Sequence, residues 1–168
     1  MPQLSRRDVA LMAACALTAC STSQTPSSDE GPSVATDTSA VLSPPLHANE
    51  TPQLRASINR WAERHDLPPS LIHRLAIRES THNPAARNGP YYGLLQILPQ
   101  TAGTMGFRGA PADLLNADTN LKYAGKYLRG AWLLSNGDEA TAISWYARGY
   151  YFEAKRRGML VETGLRPA

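Results

Sequence analysis

Glu79 stands at the end of a stretch whose apolar residues recur at helical spacing. Ile72, Leu75 and Glu79 lie at i, i+3 and i+7, on one face of a helix. A glutamate on that face is costly unless it is paired or neutral. Burial raises a carboxylate's pKa, and a carboxylic acid still protonated near neutral pH can donate to the leaving oxygen of a glycosidic bond. Spacing by itself favours a plainer reading, a solvated glutamate at a helix end beside Arg78 or His82. Downstream, NPAARNGPYYGLLQI runs through a turn broken by proline and glycine to Gly93 and an apolar segment carrying one glutamine, Gln96. His73 and His82 flank Glu79, but no His-Glu-x-x-His spacing and no cysteine cluster accompanies them, so no metal is expected. The glycines form no phosphate-cradling loop ahead of a strand, and no cofactor is expected.

The elements that must position these groups read as helices between short breaks. Thr51-Pro52 supplies an N-cap and a first-turn proline, followed by Leu54, Ile58 and Trp61 at helical spacing. Asp66-Leu67-Pro68-Pro69 stops that helix, Ser70 or the prolines start the one that carries Glu79, and Asn83-Pro84 is expected to stop the latter. A third helix is expected over Leu94–Thr104, with Pro99 near its start or at a kink. Asp118 is expected to cap a fourth carrying Leu121, Leu128 and Ala131, which Asn136-Gly137 ends. Asp138 caps a short helix toward Trp145 and Tyr146, and a last helix covers Tyr150–Arg157. No strand alternation is present beyond a small hairpin or extended turn around Pro90–Tyr92. The expected fold class is a small all-α domain with one core.

The chain has 168 residues. Its start, MPQLSRRDVALMAACALTAC, carries Arg6 and Arg7 and then an apolar run from Val9 to Ala19, too short to span a bilayer, which needs roughly 20 apolar residues. It reads as a secretory signal peptide over 1–19. Leu17-Thr18-Ala19-Cys20 resembles a bacterial lipobox, in which the cysteine is acylated and becomes the mature N-terminus. With Cys20 lipidated and Cys15 removed, no thiol remains for a disulfide. Residues 20–50 are rich in Ser, Thr and Pro without an aromatic residue, the composition of a disordered tether. The folded domain is expected over 51–168. Of 17 basic and 14 acidic residues, Arg6, Arg7 and Asp8 lie in the leader and Asp29, Glu30, Asp37 and Glu50 in the tether, leaving 15 against nine for the domain. That excess suits an anionic polymer. An exported lipoprotein meets little nucleic acid, which is not expected as a partner.

Taken together, Glu79-Ser80, Asn83-Pro84 and Gly93-Leu94-Leu95-Gln96-Ile97 resemble the active-site signature of the soluble-type lytic transglycosylases, relatives of goose-type lysozyme. Leu114-Leu115-Asn116-Ala117-Asp118-Thr119-Asn120-Leu121 is similar to a further block of that family, and Tyr127-Leu128 to its following pair. The likeness covers roughly residues 54 to 158. It implies a lysozyme-like α-domain acting on the glycan strands of peptidoglycan. Glu79 would protonate the oxygen between N-acetylmuramic acid and N-acetylglucosamine, then take the proton of the muramic acid 6-hydroxyl, closing a 1,6-anhydro ring without water. No second Asp or Glu stands in the blocks around Glu79 and Gln96, which agrees with a substrate-assisted exception to the two-carboxylate rule.

The resemblance further implies that Gln96 lines the cleft and bonds sugar, and that Gly93 lets the chain pass close to substrate. It places the Tyr146 hydroxyl near the glutamate, while core packing with Trp145 explains Tyr146 equally well. Ser80 would cap or brace the turn. Three positions depart from the family pattern: Ala147 replaces an asparagine, Leu95 a methionine, and Asn88-Gly89 a serine before the glycine-rich turn. The expectation is an exported, periplasmic monomer anchored to the membrane through Cys20, with Ser21 pointing to the outer membrane. Two competitors stay open: a hydrolase on the same scaffold, and a glycan-binding lipoprotein that has lost activity.

Overall fold

The structure, a computed structural model, is described for residues 44–167. The leader, Cys20 and the tether as far as residue 43 lie outside the described residues.

Helix starts follow local chemistry. In α1 (Pro52–Arg64) the Thr51 hydroxyl accepts the Leu54 N–H at 3.1 Å, with Pro52 in the first turn. Helix α2 (Pro69–Ser80) begins on Pro69 and ends before Asn83-Pro84, earlier than expected. Thr81 turns left-handed at φ 51° and the His82 N–H reaches back to the Ala76 carbonyl at 3.3 Å, a Schellman-type ending that closes the helix directly behind Glu79.

The third expected helix is the largest correction. Residues 94–98 are not helical, and α3 covers only Pro99–Thr104. Pro99 has no N–H and forces Leu98 into extended backbone (φ −71°, ψ 137°), so helix cannot run back through it. Ahead of it, strands β1 (Arg87–Asn88) and β2 (Tyr91–Tyr92) pair antiparallel, Arg87 opposite Tyr92 and Asn88 opposite Tyr91. Tyr92 also exchanges backbone hydrogen bonds with Ile97, both at 3.1 Å, pinching 93–96 into a tight turn.

A short 3₁₀ helix (Pro111–Leu115) leads into α4 (Ala117–Leu134), whose cap is Asn116, accepting the Thr119 N–H at 3.0 Å. Asp118 stands two residues past the cap; its carboxylate instead accepts from Arg60 at 2.6 Å and Trp61 at 2.8 Å. Asp138 does cap α5 (Glu139–Arg148), through the Thr141 N–H at 2.7 Å, and α6 covers Tyr151–Arg156. Helix α4 is the axis of the core. Leu121, Ala124, Leu128, Ala131 and Leu134 are buried along it, and α1, α3 and α5 pack around it. The fold is all-α with one small hairpin, and no helix among the described residues is long and apolar enough to cross a membrane.

Order begins before residue 51. Glu50 is buried, and Arg55 donates to its two carboxylate oxygens and to the carbonyls of Pro44 and Pro45. One salt-bridged guanidinium thus draws the last residues of the expected tether against α1.

Candidate active site

Glu79 occupies the last turn of α2, its side chain 22 % exposed. It lines a cavity of about 310 Å³ together with Arg78, Asn88, Tyr91, Gln96, Tyr146 and Ala147. The cavity continues past Tyr91, Gln96 and Tyr146 into a second hollow of about 210 Å³, bounded by Leu98, Tyr127 and Arg148. Burial raises the Glu79 carboxyl above the ordinary glutamate value. Arg78 opposes this weakly: its Nε lies 3.4 Å from Oε1, longer than a charge-assisted hydrogen bond, and its side chain is half in solvent.

Glu79 is the one carboxylate among the described residues that lines either hollow. Others are committed elsewhere. Glu139 accepts from Ser70 and Arg74, Glu153 from Arg156 and Arg157, and Asp66 from Arg129. A larger hollow of about 500 Å³ lies between α4 and the C-terminal segment, among Lys126, Arg129 and Arg166. Its carboxylate, Glu162, is exposed and solvated, so that hollow has volume without a held acid.

The wall opposite the carboxylate is the turn 93–97, and its construction explains several of the expected site residues. The turn is buried yet has no regular hydrogen-bond ladder, so side chains must satisfy its backbone groups. Ser80 donates to the Leu94 carbonyl at 2.7 Å. Asn120 accepts the Leu95 N–H at 2.9 Å and donates to the carbonyls of Tyr92 and Leu114, each at 2.9 Å. The Tyr146 hydroxyl donates to the Leu95 carbonyl at 2.9 Å. Burial, with the charge of Glu79 adding to it, holds the Tyr146 phenol far above its ordinary pKa, so it remains a donor.

Gln96 and Gly93 sit differently from expectation. Gln96 borders the cavity in a left-handed conformation (φ 47°), but its amide nitrogen is taken by the carbonyls of Ala86 at 3.1 Å and Gly93 at 2.7 Å. Its Oε1 is buried without a partner. The side chain braces the turn first. Gly93 is buried behind the cavity, and its close neighbour is protein: a Cβ there would lie 2.1 Å from the Leu114 carbonyl oxygen and 2.3 Å from Asn120 Nδ2. Its φ of 77° suits glycine as well. Ser80 ties the end of α2 to the turn, donating to the Leu94 carbonyl and accepting the Asn83 N–H.

Sequence reading did not single out Asn120, Tyr91 or Tyr127. Asn120 had a signal, an amide on the apolar face of α4 four residues before Ala124. Tyr91, 43 % exposed, borders both hollows and offers a ring face of the kind sugars stack on. Tyr127 packs edge-on against Tyr146 with ring centroids 5.3 Å apart. Ala147, where the family pattern has asparagine, lines the cavity and is exposed, so this position presents a methyl group in place of an amide. His73 and His82 do meet, but with His47 and Glu50, not with Glu79.

Residues 56–158, more than half of the chain, match the family model described as the transglycosylase SLT domain. Neither the curated proteins nor the solved structures hold a significant match to the chain. The family match carries a transglycosylase-type function acting on peptidoglycan.

Proposed function

We propose, from the premise that this chain belongs to the transglycosylase SLT domain family, that it is a lytic transglycosylase cutting the bond between N-acetylmuramic acid and N-acetylglucosamine. The observation that carries the reading is the lone, half-buried carboxylate of Glu79 in a cleft with no second carboxylate among the described residues.

Glu79 begins protonated, which desolvation favours, and passes its proton to the glycosidic oxygen as the C1–O bond of the muramic acid breaks. The carboxylate left behind then takes the proton of the 6-hydroxyl on the same sugar, and O6 bonds to C1. The proton returns to Glu79, the sugar closes its 1,6-anhydro ring, and no water enters the balance. A hydrolase would instead need a base to activate water on the far face of the ring, at a carboxylate separation of roughly 6.5–9.5 Å, or a nucleophile at about 5–5.5 Å. Among the described residues neither partner lines this cleft. Clamping of the turn 93–97 by Ser80, Asn120 and Tyr146 supports the same reading, because acid catalysis depends on a wall that holds sugar in a fixed place.

Mass spectrometry of peptidoglycan digested with the purified protein tests this. Products ending in anhydro-muramic acid support the proposal, reducing ends support a hydrolase, and an uncut polymer supports a glycan-binding role. The proposal also covers placement: the lipobox-like Leu17–Cys20 and Ser21 support a lipid-anchored periplasmic protein of the outer membrane. Cys20→Ala should then release the protein from the membrane fraction, and continued membrane retention with unchanged mass would overturn the anchor.

A further inference from the structure

We infer that His47, Glu50, His73 and His82 form a binding site for a divalent transition-metal cation, Zn²⁺ foremost, that clips the segment before α1 onto the turn behind Glu79. One donor atom from each of the four lies within 4.8 Å of all the others. They come from separate parts of the chain: His47 and Glu50 precede α1, His73 is on α2, and His82 follows its left-handed ending.

Hydrogen bonding alone leaves this cluster incomplete. His73 Nδ1 and His82 Nε2 stand 3.0 Å apart and can share one proton. His82 is wholly buried, with Nε2 turned to His73, and its Nδ1 has no hydrogen-bond partner among the described residues. The His47 ring stacks on His82, centroids 4.8 Å apart and planes within 5°, and lies 5.0 Å from His73. Three imidazoles drawn around a buried carboxylate make poor apolar packing and a good donor set.

Two of the separations fit a metal, and the exposed His47, now parallel to His82, must turn its ring edge-on to join them. Two ligands each roughly 2.0–2.1 Å from Zn²⁺ stand about 3.3 Å apart in a tetrahedron. The His73–His82 separation of 3.0 Å and the 3.7 Å from His73 Nδ1 to Glu50 Oε1 lie on either side of that value. Glu50 is already oriented. Its Oε2 accepts from Arg55 and from the His47 N–H, while Oε1 accepts from Arg55 Nε alone and keeps a lone pair. Arg55 thus holds the carboxylate as outer-shell partners of metal ligands do. It also offsets much of the carboxylate's charge, so the imidazoles supply most of the attraction. That favours zinc, nickel or copper over magnesium or calcium, which want oxygen ligands.

The consequence is mechanical. The Asn49 side chain already donates to the Thr81 carbonyl at 3.1 Å, and a bound cation would lock the same seam three residues beyond Glu79. A ligand that binds only the folded chain stabilises it.

The test is direct and independent of glycan cleavage. The full chain, carrying no histidine tag, is stripped with chelator and titrated with Co²⁺ and then Zn²⁺. One equivalent of Co²⁺ should give a visible d–d absorption that Zn²⁺ displaces, and Zn²⁺ should raise the melting temperature. His47→Ala, on the exposed side of the cluster, should fold and lose at least about 10–100-fold in affinity, the range seen when even a ligand's supporting partner is disturbed. His82→Asn should lose binding altogether, and if that variant does not fold, His47→Ala and His73→Gln decide. Absence of stoichiometric binding, or undiminished affinity in both those variants, overturns the site.

Discussion

The Tyr146 hydroxyl donates to the Leu95 carbonyl at 2.9 Å, and Asn120 accepts the N–H of the same residue at 2.9 Å. Both backbone groups of Leu95 are therefore held by side chains from α5 and α4. This fixes the cleft wall facing Glu79 and gives Tyr146 a role that neither substrate contact nor simple core packing describes. The clamp and the acid together define what can be tested.

Glu79→Gln keeps the shape of the side chain but removes its acid and base forms. Loss of general acid–base catalysis should lower the rate of anhydro-muropeptide release by about 10²–10⁴-fold or more. Folding should be unaffected or slightly strengthened, because a desolvated carboxyl is removed. A variant that still cuts near the wild-type rate would leave the proposed mechanism without its acid.

The pH behaviour of the same residue follows from its raised pKa, caused by burial and only partly countered by Arg78. The folded chain binds this proton more tightly than the unfolded one. Its contribution to stability is therefore fully present below the unfolded value of about 4.3 and is lost as pH rises through the folded pKa. Activity needs the protonated form, so the alkaline limb of the rate profile should fall above the ordinary glutamate range. Denaturant midpoints across that range should fall with pH in the wild type and fall less in Glu79→Gln; parallel curves would contradict the assignment.

Tyr146→Phe should cost about 1–3 kcal/mol of stability, because the Leu95 carbonyl is left buried and unpaired. Turnover should fall with it as the wall loosens, while Tyr127 still packs the ring. Urea unfolding and muropeptide assays on one preparation check both; normal stability with lost activity would make the hydroxyl a direct substrate contact.

Asn120→Ala strands two backbone groups at once, the Leu95 N–H and the Leu114 carbonyl, and takes one of two hydrogen bonds from the Tyr92 carbonyl, which keeps the Ile97 N–H. It should therefore destabilise by more than about 3 kcal/mol, at the severe end for one substitution. A loss under about 1 kcal/mol in chemical denaturation would mean that water replaces the amide and the clamp is not rigid.

Ala147→Asn restores the residue of the family pattern on the exposed cavity wall beside Glu79. One added hydrogen bond to sugar should raise turnover by about 2–10-fold, the rate equivalent of a typical net hydrogen bond. The melting temperature should hold steady, since Ala147 is exposed. An unchanged rate would show that this cleft has rearranged around alanine.

Much of the helical framework was legible in the sequence because helix ends are decided within a few residues. Thr51 and Asp138 cap where they stand, and Pro69 opens α2, because each acts on backbone groups within its own turn. Glu79 was legible as the candidate acid through the order of motifs around it more than through its spacing. The segment 94–98 was not legible: its apolar residues suit a helix, but Pro99 stops any helix at Leu98, and hydrogen bonds with Ser80, Asn120 and Tyr146 hold the residues before it as an irregular turn. Asn120 and Tyr146 lie 25 and 51 residues along the chain from Leu95, so no local pattern announces them. Gly93 was legible as a turn glycine, but the protein atoms a Cβ there would strike, the Leu114 carbonyl and the Asn120 amide, are not visible in a sequence. The meeting of His47 and Glu50 with His73 and His82 likewise follows from α1 packing on α2, which brings together side chains that the linear order keeps apart.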